Sequence, residues 1–240
     1  MNRALYVFWT GENPISEARL RSLDSMKNTG LEVLFITPKN LHEYLPAESL
    51  HPAYAFLNLA HKADYLRCYF MKHHGGGYSD LKFNEASWLD VFDALDRHPD
   101  AWAAGYREVA PHGVADLYIS SRQLRESFAE SFRAQLRWRF LQMNYQKLIG
   151  TCAFIFKKDT PLVDEWWQAL NQRLDSLYPA LEKNPSRHPK EVPGMRIDGE
   201  KSRYPVPWTH LLGDILHPLA YKYHDRLIYD LPSPGFSNYV

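Results

Sequence analysis

Residues 73–85 read HHGGGYSDLKFNE, and the fold of the chain turns on them. Gly75, Gly76 and Gly77 allow a tight backbone turn between a helix and a sheet. Residues 58–73 predict the helix, and residues 78–83 predict a short strand. Asp80 follows the turn at once, where an acid rarely serves packing. A second acid two positions on would share a face of the extended segment with Asp80. Such a pair holds a hard divalent cation through its oxygens. That position is Lys82, and a charged lysine offers a cation no lone pair.

Working outward, ALYVFW (4–9) is a buried strand closed by Thr10-Gly11. Ser16 predicts a helix N-cap, Leu20, Leu23 and Met26 recur at helical spacing, and Gly30 offers a C-cap. LEVLFIT (31–37) is a second buried strand, so the chain begins as a strand-helix-strand unit favouring a parallel or mixed sheet. Downstream the sequence predicts a helical turn over 87–96 and strands near 101–106, 113–120 and 152–156. A long helix is expected over 122–143, and another starts at Thr160-Pro161. On the 122–143 helix, Leu124, Phe128, Phe132, Leu136 and Phe140 are spaced four apart. Arg122, Arg125, Arg133 and Arg137 occupy the other side, which the plain reading makes a solvated face and the sharper one a contact with anionic lipid or a phosphorylated acceptor. Residues 183–203 are polar and rich in Pro and Gly, a loop and a candidate lid.

The 240 residues suit one α/β domain with no internal linker. Formal net charge is zero, so no global field points to nucleic acid as partner. Cys68 and Cys152 lie singly in apolar segments, which suits a reducing compartment better than a disulfide scaffold. No signal peptide or membrane span is apparent. The expectation is a cytoplasmic protein with at most peripheral membrane contact.

One helix before the glycines stands HKADYLR (61–67), where Asp64 and Arg67 face the same way three residues apart. A surface ion pair explains that spacing as well as a grip on sugar hydroxyls does. The joined pattern A-D-Y-L-R-x(7)-G-G-G-Y-x-D resembles the D-x-D glycosyltransferases. These include yeast α-1,6-mannosyltransferases, bacterial capsular-polysaccharide synthesis proteins and the glucosylating domains of large bacterial toxins. YVFWTG, GTCAFIF and YPVPWTHLLGDILHP extend the resemblance more loosely. It implies a GT-A fold, an α/β sandwich with a mixed central sheet flanked by helices. Residues 1–85 would form the nucleotide-sugar half, and 86–240 the acceptor half with a closing C-terminal segment.

The resemblance also implies roles. Trp9 would stack on the nucleobase, Asp64 and Arg67 would hold donor-sugar hydroxyls, and Tyr78 would pack beside the nucleoside. Asp80 would lie at the ribose, metal and diphosphate. Trp9 and Tyr78 also read plainly as core residues. In the C-terminal segment Trp208 would line the pocket with His210, while His217 would join Asp80 on an Mn²⁺ or Mg²⁺ ion. Asp214 would act at the reacting centre; on position alone, and not from the resemblance, it or Glu108 would orient the acceptor.

Lys82 departs from the family pattern, and three readings stand open. Its ammonium replaces the metal at the diphosphate; or a cation is still held by Asp80 and the C-terminal segment; or the site binds without catalysing. The function expected is therefore hexose transfer from a nucleotide sugar, a UDP-sugar by preference, to a glycan or glycolipid acceptor of capsule or lipopolysaccharide. By resemblance, anomeric configuration is retained. The alternative is a non-catalytic sugar-nucleotide-binding subunit of a partner transferase.

Overall fold

The structure, a computed structural model, describes residues 1–45 and 49–236. Its elements run β1 (Ala4–Phe8), α1 (Glu17–Ser25), β2 (Glu32–Ile36), α2 (Leu59–His73), β3 (Gly76–Ser79), α3 (Leu89–Arg97) and β4 (Ala103–Arg107). Then follow α4 (Leu117–Gln123), α5 (Phe128–Met143), β5 (Ile149–Phe156), α6 (Pro161–Lys183), β6 (Arg196–Ile197), β7 (Glu200–Lys201), α7 (Gly213–Lys222) and β8 (Leu227–Ile228).

Six strands form one sheet in the order β2-β1-β3-β5-β4-β8, and β6 pairs with β7 as a small hairpin. β5 runs antiparallel to both β3 and β4, while the other neighbours are parallel. A sheet covered on both faces needs strands apolar on both sides, and β1 is buried at every position. Tyr6 and Phe8 join Phe70 and Tyr78 in one layer of core, and Leu5 and Val7 join Trp88 and Phe92 in the other. The mixed central sheet flanked by helices is the α/β architecture expected from the sequence.

The glycine triplet is needed for its backbone. Gly75 and Gly76 have φ of 62° and 102°. A Cβ on Gly76 would stand 3.0 Å from the Ala4 carbonyl oxygen, on the neighbouring strand. β3 is shorter than the strand expected over 78–83. The Lys82 N–H bonds back to the Asp80 carbonyl, a tight turn that ends the extended run.

Two other expectations change. The strand expected over 113–120 is helical in its second half, because the Asp116 side chain takes the Ile119 N–H and caps α4. The helix expected over 122–143 is two helices. Arg125 adopts φ of 58°, and Ser127 with Glu130 forms a capping box that restarts the chain as α5. Leu124 thereby leaves the row begun at Phe128 and packs against the core, whereas Phe128, Phe132, Leu136 and Phe140 are exposed. Ser16 and Thr160 cap α1 and α6 as expected. Among the described residues no helix is long and apolar enough to cross a membrane.

Candidate functional site

From β1 the chain passes to β2 on one side, while β3 lies on the other side of β1. Where strand order reverses in this way, the carboxyl ends of the two central strands leave a crevice between diverging connections. Trp9 directly follows β1 and Asp80 directly follows β3, so both are delivered to that crevice. A cleft of about 390 Å³ opens there.

α2 supplies one wall. Ala60, Ala63, Asp64 and Arg67 all line the cleft, and their steps of three, one and three follow the helical period. The two alanines leave room, and the two charged residues furnish it. Arg67 is held in place from several directions. Its Nη2 donates to Asp80 Oδ1 at 2.7 Å, its Nη1 lies 3.2 Å from Asp64 Oδ1, and the guanidinium stands 4.6 Å from the Tyr78 ring centre. The Tyr78 hydroxyl donates to the same Asp80 oxygen at 2.6 Å. Tyr78 thus does what a core residue does, buried against Phe8 and Phe154, and it also fixes Asp80.

Burial disfavours ionisation of Asp64 and raises its pKa from 3.8 to about 7, despite the opposing pull of Arg67. The distances give the reason, since Arg67 gives its shorter bond to Asp80. Near neutral pH the Asp64 carboxyl is thus shared between a form that accepts and a form that donates. Burial opposes the charge of Arg67 too, but Tyr78, Asp80 and Asp64 outweigh it and raise its pKa further.

Lys82 is 7% exposed and is not among the residues lining the cleft. Its Nζ lies 3.9 Å from Asp80 Oδ2, 3.0 Å from Cys152 Sγ and 4.3 Å from the Phe236 ring centre. It borders a neighbouring cavity of about 730 Å³ and not the cleft itself. Asp80 thus has a cation at each carboxylate oxygen.

The C-terminal candidates divide. Trp208 and His217 line the cleft, Trp208 half exposed. His217 Nδ1 accepts the Ala115 N–H at 3.0 Å, which assigns the proton of the neutral ring to Nε2. That buried N–H has no hydrogen-bond partner and lies 3.8 Å from Glu108 Oε2. Burial lowers the His217 pKa to about 4 and raises that of Glu108, which keeps the imidazole neutral. His210 and Asp214 lie outside the cleft and face Arg173. Asp214 accepts from the Thr209 hydroxyl at 2.6 Å, and Arg173 donates to the His210 carbonyl. Burial alone would raise the Asp214 pKa, but bonds to His210, Ser120 and Thr209 bring it below the usual value. This geometry holds the start of α7 together and leaves both side chains off the cleft lining, where the sequence reading set His210 in the pocket and Asp214 at the reacting centre.

The donor set does not fit a divalent cation. Asp80 already meets two cationic side chains, and His217 presents an N–H where a metal needs a lone pair. Among the described residues no group of three or more His, Cys, Asp or Glu could hold a metal ion.

Sequence reasoning missed Arg19 and Lys190, which also line the cleft. Arg19 reaches from α1 and donates to the Leu81 carbonyl at 2.6 Å. It also missed His61, which joins α2 to the C-terminal segment through the Tyr204 hydroxyl at 2.9 Å and the Trp208 carbonyl at 3.2 Å. The helical period at 60, 63, 64 and 67 was the available signal for the α2 wall. Nothing local marked Arg19 or Lys190.

No protein-family model and no curated protein matches this chain. Among solved structures, mouse xyloside xylosyltransferase 1 in its apo form is similar over 95% of this chain and 84% of its own, with a TM-score of 0.41 and 10% identity. That likeness is too distant to transfer a substrate or a residue role.

Proposed function

We propose that the protein transfers a hexose from a UDP-sugar to a growing bacterial surface glycan, of capsule or lipopolysaccharide type. One observation carries the reading: Arg67 fixed between Asp64 and Asp80 over Tyr78, in a cleft at the point where strand order reverses. A rigid guanidinium suits a diphosphate, which it can meet with paired N–H groups. The cleft is lined by Arg19, Arg67 and Lys190 against Asp64 and Asp80. With Lys82 also neutralising Asp80, the balance favours an anion without a metal.

Each side chain then has a task. Trp9 turns its indole N–H to the Asn13 carbonyl, leaving the ring face for a nucleobase. Asp64 holds donor-sugar hydroxyls, and Trp208 packs on the apolar face of a sugar. The His217 Nε2–H is a preset donor for negative charge that grows on the leaving diphosphate. As the bond from the sugar anomeric carbon to the diphosphate oxygen breaks, the acceptor hydroxyl oxygen bonds to that carbon from the same face. The acceptor proton passes to a diphosphate oxygen, so no separate base is required and configuration is retained. The acceptor would lie along the neighbouring cavity of about 1300 Å³, lined by the 183–205 segment with Arg125, Lys183, Arg187, Lys201 and Arg203. That cavity is larger than the cleft but is lined by none of Trp9, Asp64, Arg67, Asp80, Trp208 and His217.

The test is UDP release from a panel of UDP-hexoses, with and without capsule or lipopolysaccharide fragments, in wild type and Arg67→Ala. The expected result is acceptor-stimulated release that falls about a hundredfold in the variant. Tight donor binding with no release under any condition would favour a binding subunit of a partner transferase. Absence of binding to every donor would overturn both readings.

A further inference from the structure

The outward face of α5 is apolar. Phe128 is 84% exposed, Phe132 49%, Leu136 55%, Phe140 42% and Met143 76%. At about 100° per residue these five fall within an arc of roughly 120°. The inward face carries Ser131 and Leu141, buried, with Ala134 and Trp138 packed partly against the core. Ile119 on α4, 52% exposed, adds to the apolar surface. The Phe128 and Phe132 rings lie 6.4 Å apart, nearly parallel, and both are exposed. Single exposed apolar residues are ordinary, but a contiguous stripe of this kind marks a surface that something covers.

Charge identifies the cover. Residues 122–139 carry five exposed arginines, Arg122, Arg125, Arg133, Arg137 and Arg139, against Glu126 and Glu130. Glu130 is turned back onto Ser127 in the capping box. On the same wheel Arg133 lies about 20° beyond one edge of the apolar arc, and Arg139 falls about 20° inside the other edge, toward the C-terminal end of the helix. A second copy docked by this face about a two-fold axis would set arginines against arginines. An anionic bilayer instead takes the rings among its acyl chains and the guanidinium groups at its headgroups. The helix is too short to span a bilayer, so it would lie in the interface plane.

We propose that α5 docks the protein on anionic membrane surface, with Phe128, Phe132, Leu136, Phe140 and Met143 inserted and Arg133 and Arg139 at the lipid phosphates. The surface is separate from the cleft, so this stands or falls independently of the transfer reaction.

The experiment is co-sedimentation with vesicles of phosphatidylcholine alone, and of phosphatidylcholine mixed with phosphatidylglycerol. Wild type should bind the mixed vesicles and should release in high salt. Phe128→Ser with Phe132→Ser should weaken binding by about tenfold or more, with circular dichroism and Tm maintained. Arg133→Ala with Arg139→Ala should remove the preference for anionic lipid. Equal binding to both vesicle types, no binding to either, or binding unchanged in the Phe variant would overturn the proposal. So would a wild-type dimer that the Phe variant dissolves, or capture of an acidic protein in place of lipid.

Discussion

At the scale of single residues, the site is an arrangement of charges that correct one another. Asp80 has Arg67 at one oxygen and Lys82 near the other. Asp64 is the carboxylate with the weaker share of Arg67, and it is the one that burial drives to about 7. Between its ordinary value of 3.8 and about 7 the folded chain keeps a proton that the unfolded chain has lost. This group therefore makes the protein less stable as pH rises through that window. Asp64→Asn removes the effect. In urea unfolding across that range, the stability of the variant relative to wild type should rise with pH, approaching about 1.4 kcal/mol per pH unit. A pH-independent difference would show that Asp64 ionises like an exposed aspartate. Asp64, Arg67, Tyr78 and Asp80 were legible because they lie within one helix and one turn. That His210 and Asp214 lie off the cleft was not legible, because their spacing tells which face they share but not which way that face points.

At the scale of elements, turn chemistry decides how accurately the site is delivered. Gly76 stands at φ of 102° with Ala4 on the adjacent strand. Gly76→Ala should lower stability by about 1–3 kcal/mol, read from the urea midpoint at unchanged slope, and should weaken donor binding because β3 carries Asp80. An unaltered midpoint would mean the triplet is not required for its backbone. The glycines, the caps at Ser16 and Thr160 and the period of α2 were readable because each is a local signal. The division of α4 from α5 was not. A left-handed arginine at 125 has no composition cue, and a row spaced four apart has the same pattern whether it faces core or solvent. Exposure of that row is a property of what packs beside α5.

At the scale of the molecule, the sheet order places the cleft. β1 and β3 sit where the order reverses, and the chain brings α1, α2, the segment at Lys190 and the C-terminal segment around their carboxyl ends. The mixed sheet was legible from the opening strand-helix-strand and the apolar runs. Its order was not, because β5 enters between β3 and β4 from far along the chain. The same long-range assembly puts Lys82 against Cys152 and Phe236, from distant parts of the sequence. The central claim is that protein cations neutralise the diphosphate where the family resemblance implies a metal. It is tested most directly by the affinity of wild-type protein for UDP, measured by calorimetry in EDTA and again in excess Mn²⁺. The account predicts dissociation constants within about threefold of each other, a difference under about 1 kcal/mol. Binding that vanishes in EDTA and returns with Mn²⁺ would contradict it.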